Sequence, residues 1–416
     1  MSVLVAQLGA RMHYAVPRIL HAAGQLDHFY TDICGTKGWP MLLKAIPKAL
    51  RPAKLERLVG RIPKDIPADR ITAFSGFGIK YARRLAASDN TDERNAAFLW
   101  GGKEFNRKII VRGLGNARSV YVFNSAGLEL LEAAHRRGLK GVVEQTITPR
   151  KIEWQLLLEE QVRFAHWEKR IGEHLMSDYC DRELAEWTAA DLILCASPYV
   201  QERIIACGGA PDKCVVVPYG IEVQSAECGR TPHPCPVTKT DREKNRPLRV
   251  LTVGAVGLRK GSPYVLEAAK KMRGIAEFRM VGAIQVSESA RTELESWVDL
   301  TGSIPRSEMS KQYEWADVFL LPSLCEGSAT STYEALGYGL PVICTPNTGS
   351  VARDGVEGFI VPAHDSQCIV EKLEHLATNL DLLAWMSDAA RQLSEYFTLE
   401  KYAERLIATL QARMIL

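Results

Sequence analysis

Short apolar runs recur along the chain with helix-like stretches between them. "VLVAQL" at 3–8 reads as a buried strand, followed by Gly9 and a helical pattern from about 15 to 26. "SVYVFNS" at 119–125, "GVVEQTI" at 141–147 and "DLILCAS" at 191–197 read as further strands. Helical stretches separate them at 127–137 and, longer and more charged, at about 149–190. Continuous apolar strands alternating with helices predict a parallel sheet covered on both faces.

The pattern lapses at 224–247, "QSAECGRTPHPCPVTKTDREKNRP", where four prolines and many charges predict a linker or a mobile excursion. It resumes with "LRVLTVG" at 248–254 as a strand and "SPYVLEAAKKM" at 262–272 as a helix, with Ser262 expected as N-cap and Pro263 at the first helical position. Strand patterns at 277–282, 299–305 and 317–323 follow, with a helix at 307–316, then "PVICT", "GFIVP" and helices. The prediction is an α/β protein of two Rossmann-like, doubly wound domains, 1–223 and 248–396, joined by 224–247.

Composition narrows the class. A chain of 416 residues exceeds one ordinary core, and 46% hydrophobic with 24% charged residues is a globular balance. A formal net charge of +3 argues against a dedicated nucleic-acid binder. Ten cysteines without a Cys-x-x-Cys fit reduced thiols in a cytoplasmic compartment. Cys228, His233 and Cys235 cluster in the Pro-rich segment, and chance crowding outranks a metal site there. The first residues read as a strand rather than a leader, and no apolar run approaches the ~20 residues that span a bilayer.

The chemistry concentrates in "SLCEGSATSTYEALGYGLPV" at 323–342. A strand ends near Ser323 and a helix is expected to begin at Ala329 or Thr330, which places Glu326 in the loop and Glu334 beyond the helix's first turn. Ligands of such sheets bind where strand ends meet helix N-termini, whose free N–H groups suit a phosphate or a sugar hydroxyl. A carboxylate suits vicinal hydroxyls. For the pair in isolation, the bland reading is a solvated Glu326 and a Glu334 paired with a neighbouring helix.

Together with "VGAVGLRKGSPYVLEAA" at 253–269, "LTGSIPRSEMSKQYEWADVFLLPS", "VARDGVEGFIVPAHD" and "ASPYVQERIIACGGAPDKCVVVPYGIEV", this stretch resembles the retaining glycosyltransferases of family 4, which have the GT-B fold. The resemblance covers the second domain nearly end to end, and the first mainly in its last third and at Gly9. It implies two domains facing each other across a cleft, with the last helix, about 399–414, crossing back to the first domain. By position, Glu334 matches the glutamate on the nucleotide ribose and Glu326 the one facing the donor sugar. Gly327, Ala329, Thr330 and Ser331 would approach sugar and phosphate beside Gly254. Arg259 and Lys260 match the pair that clamps the diphosphate, where two cations stabilise the departing charge. No metal or other cofactor is implied, because the nucleotide-sugar is a substrate.

Two positions depart from the family pattern. Gly254 is followed by Ala255 where many members carry arginine or serine, which leaves the clamp to Arg259 and Lys260. Where many members place a histidine facing the donor sugar, the strand "GVVEQTITP" offers Glu144 and Gln145. Gln145 can hydrogen-bond a sugar hydroxyl but cannot titrate, and Glu144 is either a paired structural carboxylate or part of the site. Gly9, Arg11 and His13, in the loop after the first strand, are candidates for the acceptor side, with Arg11 or His13 contacting acceptor or phosphate, against a plain helix-start role for either of those two.

The stretch 37–64 carries eight Lys or Arg against one acid, Glu56, with interleaved apolar residues. It reads either as a peripheral contact with anionic lipid, in pieces set by Pro40, Pro47 and Pro52, or as a lid packed on the first domain. The expected function is retaining transfer of a sugar from a nucleotide diphosphate donor to a glycan or lipid-linked acceptor. The setting expected is cell-surface polysaccharide or glycolipid synthesis, in the cytoplasm or at the inner membrane face. The alternatives are a non-catalytic GT-B partner, to which Gln145 and Ala255 point, and a GT-B epimerase or phosphorylase.

Overall fold

The computed structural model describes residues 2–43, 58–222 and 246–416. Two all-parallel sheets organise them. The first contains β1 (Val3–Gln7), β2 (Leu26–Thr31), β3 (Ile71–Ala73), β4 (Ser119–Phe123), β5 (Lys140–Gln145), β6 (Leu192–Cys195) and β7 (Cys214–Val216), in the order β3-β2-β1-β4-β5-β6-β7. The second contains β8 (Leu248–Val253), β9 (Ala276–Val281), β10 (Val298–Gly302), β11 (Val318–Leu321), β12 (Val342–Cys344) and β13 (Gly358–Ile360), in the order β10-β9-β8-β11-β12-β13. Strand order reverses between β1 and β4 and between β8 and β11. Each switch point opens a crevice at the strands' carboxyl ends.

Burial on both faces explains the unbroken apolar runs. Val3 and Val5 of β1 pack on one side with Tyr14, Leu20 and Leu194, while Leu4 and Ala6 pack on the other with Phe105, Val120 and Ile193. The second sheet is sandwiched likewise, with Val250, Leu320 and Ile343 on one face and Leu251, Phe319 and Val342 on the other. The last helix, Leu399–Ala412, buries Tyr402, Leu406 and Leu410 in the core of the first sheet. Two chain crossings lie side by side where it returns: Ile221 N–H donates to Phe397 O at 2.9 Å, and Leu399 N–H to Ile221 O at 2.8 Å.

Three expectations need correction. The first helix is Ala15–Ala22, not 15–26, because Gly24 turns at φ 68 and Leu26 already opens β2, a strand that escaped the sequence pattern along with β3. The charged stretch 149–190 is two helices, Arg150–Arg163 and Met176–Ala189, with a loop between them whose Trp167 is buried in the other domain's core. Ser262 is not the N-cap: Gly261, at φ 70, holds that position, and Ser262 Oγ accepts the Gly257 N–H at 2.8 Å. Much of 37–64, the whole cluster Cys228–His233–Cys235 and nearly all of 224–247 lie outside the described residues. The eight cysteines among the described residues are all free.

Candidate active site

The second sheet builds most of one wall of a cleft of about 540 Å³. Past β8 the chain turns at Gly254 (φ 148), where an added Cβ would lie 2.7 Å from Lys260 Cε, so the lysine stem lies across the bare glycine. A short 3-10 turn, Leu258–Lys260, then presents Arg259 and Lys260. Gly261 closes the turn against Pro322 O, which would sit 2.0 Å from a Cβ.

Past β11 the loop carries Glu326 to the same point. Its Oε1 receives Lys260 Nζ at 2.9 Å and Arg259 Nη1 at 3.0 Å. Burial would raise the Glu326 carboxyl, but the Lys260 and Arg259 charges outweigh it and hold the group below the usual carboxylate range. Glu326 is therefore no solvated loop residue. The helix Thr330–Gly337 begins beside it at N-cap Ala329, whose side chain supplies no cap, and Gly327, Ala329, Thr330 and Ser331 line the cleft.

Glu334 lies at the far end, accepting the Tyr313 hydroxyl at 2.7 Å and facing Arg306 Nη2 at 3.4 Å. The bland expectation holds here in part, since Tyr313 belongs to the neighbouring helix Met309–Trp315; Glu334 nonetheless lines the cleft. Arg306, Ile304 and Met309, which the sequence pattern did not single out, complete this end. Their signal was position alone, just past β10.

The first domain closes the other wall with Arg11, Met12, Thr146, Ile147 and Tyr219. Contact between the walls is close. Thr148 Oγ1 donates to Glu326 O at 2.7 Å, and Ser197 Oγ donates to Gly327 O. A Cβ on Gly327 would lie 2.0 Å from Thr146 O, so only glycine fits there. Arg11 and His13 also line an adjoining recess of about 250 Å³ shared with Arg306 and Glu334. Their loop is unusual: Met12, His13 and Tyr14 all take φ between 45 and 62, and the Gln7 side chain braces it by donating to Gly9 O and Arg11 O at 3.2 Å each. Burial, with Arg306 next, lowers the His13 pKa. Gly9 turns at φ 75 and donates its N–H to Asp32 Oδ1 at 3.0 Å; it supports the loop rather than lining the cleft.

The strand β5 departs from expectation. Gln145 is fully buried: its oxygen accepts from Trp187 Nε1 at 3.0 Å, and its amide donates to Ile147 O and to Glu183. Every useful atom points inward, so Gln145 does not present a hydrogen bond to a ligand; Thr146 and Ile147 occupy the wall instead. Glu144 resolves toward the structural alternative. It is buried beneath the wall and accepts the hydroxyls of Tyr121 and Tyr219, the latter at 2.8 Å. Burial raises its pKa against the pull of those two hydrogen bonds.

Four cationic and two anionic side chains line the cleft: Arg11, Arg259, Lys260 and Arg306 against Glu326 and Glu334. The excess of cations favours an anion, and the two carboxylates suit hydroxyl-bearing groups.

Residues 247–379 match the family model of glycosyl transferases group 1. The chain is 27% identical to the amylovoran biosynthesis glycosyltransferase AmsK of Erwinia amylovora over 54% of its length and 57% of the relative's. It is 26% identical to the putative colanic acid biosynthesis glycosyltransferase WcaL of Salmonella typhimurium, over 57% and 60%. The match thus spans little more than half the length of these relatives. Among solved structures, HepE of Anabaena in complex with UDP and glucose superposes over 99% of this chain and 100% of its own, with TM-score 0.59 and 14% identity. Sucrose-phosphate synthase of Thermosynechococcus elongatus covers 100% and 99% with TM-score 0.66 and 14% identity. The fold is GT-B, two doubly wound α/β domains across a cleft. Its second domain thus matches the model of glycosyl transferases group 1, and the whole chain shares the fold of those two solved structures.

Proposed function

We propose that this protein is a retaining glycosyltransferase that moves a sugar from a nucleotide diphosphate-sugar to an acceptor hydroxyl, in the synthesis of a cell-surface polysaccharide or glycolipid. One observation carries the reading: a cation pair, an uncapped helix N-terminus and two separated carboxylates line a single cleft between facing sheets. The diphosphate would lie against Lys260, Arg259 and the N–H groups of Thr330 and Ser331. Glu334 would take the ribose and Glu326 the transferred sugar. HepE, solved with UDP and glucose, and relatives named for amylovoran and colanic acid synthesis support the reading.

The chemistry follows from the charges. As the anomeric C–O bond to the diphosphate breaks, its electron pair goes to the phosphate oxygen, where Lys260 and Arg259 stabilise the growing charge. The acceptor oxygen forms the new bond on the same face, and its proton passes to that phosphate oxygen. Neither the inward Gln145 nor the buried Glu144 is needed as a base, and no metal enters these steps. Glu326, held ionised between two cations, orients them and the sugar. The acceptor we propose is a glycan or lipid-linked glycan, on a cytoplasmic enzyme drawn to anionic membrane by the basic run 37–64. Co-sedimentation with anionic but not neutral vesicles would support that contact, and equal recovery in both supernatants would remove it.

The test of transfer is release of nucleoside diphosphate from a panel of UDP-, GDP- and ADP-sugars with an acceptor panel. Wild type is expected to release it from one donor class, and Glu326→Ala to release it far more slowly. Equal, slow release by both proteins across the panel would contradict an enzyme.

A further inference from the structure

The loop after the helix Arg150–Arg163 starts in the first domain and is anchored in the second. Trp167 is 2% exposed within the core of the second sheet, beside Leu258, Tyr264 and Val265. Phe164 meets the Tyr264 ring edge-on at 5.7 Å. Ser287 closes over the loop, donating its N–H to Trp167 O and its Oγ to His166 O, each at 2.6 Å. The chain is thereby pinned on both sides of Trp167, which fixes where the next residue stands.

That next residue is Glu168. Its Oε1 accepts the backbone N–H of Leu258 at 2.6 Å, across 90 positions of sequence. Leu258 is fully buried and opens the short turn that carries Arg259 and Lys260. A buried N–H needs an acceptor, and the acceptor here comes from the other domain. Gly257 is part of the same contact. Its backbone is extended (φ 176), a conformation open to any residue, yet an added Cβ would lie 2.5 Å from Glu168 Oε1. Glycine at 257 is thus explained by the closeness of the carboxylate rather than by backbone geometry. Glu153 adds a weaker link from the same domain, with Oε1 3.9 Å from Arg259 Nε.

We propose that Glu168 is a positioning residue: it fixes the Leu258–Lys260 turn from the opposite domain, so that docking of the 164–168 loop and grip on the donor's diphosphate are coupled. The inference rests on the reading that Arg259 and Lys260 hold that diphosphate. Undocking of the 164–168 loop from the second sheet's core would carry Glu168 away and release the turn. A closed cleft keeps both cations aimed at one point.

The test combines five variants with two readouts. Glu168→Ala removes the acceptor, Glu168→Gln keeps an oxygen for the Leu258 N–H, and Gly257→Ala displaces the carboxylate without straining the backbone. The fourth is the Gly257→Ala/Glu168→Ala double variant. Amide hydrogen exchange over 255–261, without ligand, is expected to quicken in Glu168→Ala and Gly257→Ala and to stay slow in Glu168→Gln. The Kd of the tightest binder among UDP, GDP and ADP is expected to weaken about tenfold in Glu168→Ala, as for loss of a charged hydrogen bond, and to be retained in Glu168→Gln. Gly257→Ala should weaken it in the wild-type background and add nothing in the Glu168→Ala background. Unchanged exchange in Glu168→Ala, an unchanged Kd there, or fully additive effects of the two substitutions would each overturn the proposal. Lys260→Ala separates the two claims: if it leaves the Kd unchanged, the diphosphate reading falls while the exchange result still decides whether Glu168 holds the turn.

Discussion

At the scale of single residues, Lys260 and Arg259 share one carboxylate oxygen of Glu326, which gathers both cations at one point of the cleft. Removing one donor aimed at developing charge typically costs 10²–10³ in kcat. Lys260→Ala is therefore expected to lower kcat by about that factor with a folded protein, measured as nucleoside diphosphate release; a loss below about threefold would contradict the role. Gly327 gives a steric counterpart. An alanine there would press on Thr146 O, which is backbone and cannot turn aside, so Gly327→Ala should cost about 1–3 kcal/mol in stability and weaken donor binding. Unchanged melting and binding would show that the domains do not meet there. Glu326 and Glu334 were legible in the sequence because small residues, a strand end and a helix start surround them. Arg306 was not, since a single arginine after "GSIP" carries no pattern until the fold brings it 3.4 Å from Glu334. The inward turn of Gln145 was equally hidden, because Trp187 and Glu183, which hold it, lie about 40 positions away in sequence.

At the scale of elements, the helix Thr330–Gly337 starts at Ala329 without a side-chain cap. Natural caps stabilise by about 0.5–2 kcal/mol, so the missing cap leaves N–H groups free for another acceptor. Ala329→Asp is expected to raise the melting temperature of the unliganded protein and to weaken nucleoside diphosphate binding at least about tenfold, because the new carboxylate occupies the anion's place. A variant that melts higher and binds as tightly would remove the helix from the site. Most strands were readable, since burial on both faces of a parallel sheet leaves apolar runs such as "VFLL" and "LILC". β2 escaped because "LDHFYT" mixes polar residues into a strand whose Asp27 and His28 are only half-buried. The break between Arg150–Arg163 and Met176–Ala189 escaped because Trp167 and Glu168 answer to the second domain, about 90 positions on.

At the scale of the whole molecule, the seam between domains holds a pH-sensitive contact. Glu160, buried on the helix Arg150–Arg163, stands 3.1 Å from His364 Nδ1, which also lies 2.8 Å from the Tyr264 hydroxyl. Burial pushes the Glu160 carboxyl up to about 6, partly offset by Tyr264 and Arg163, and burial lowers His364. An acid with a raised folded-state pKa contributes stability below its unfolded value, near 4.3, and loses it as pH rises through about 6. Glu160→Gln should therefore be more stable than wild type at pH 8, by on the order of 1–2 kcal/mol, and gain little near pH 4. Melting differences equal at both pH values would contradict this.

The two-domain plan, legible from the lapse in pattern at 224–247, brings both walls of the cleft to strand ends; the direct contacts between those walls were not legible. Among the described residues no helix is long and apolar enough to cross a membrane. The cleft is proposed to bind a nucleoside diphosphate through Lys260 and Arg259. The most direct measurement is calorimetric titration of UDP, GDP and ADP into wild type and Lys260→Ala. Saturable binding of one nucleotide to wild type is expected, weakened at least about tenfold in the variant. Absence of binding by all three, or equal affinity in the two proteins, would contradict it.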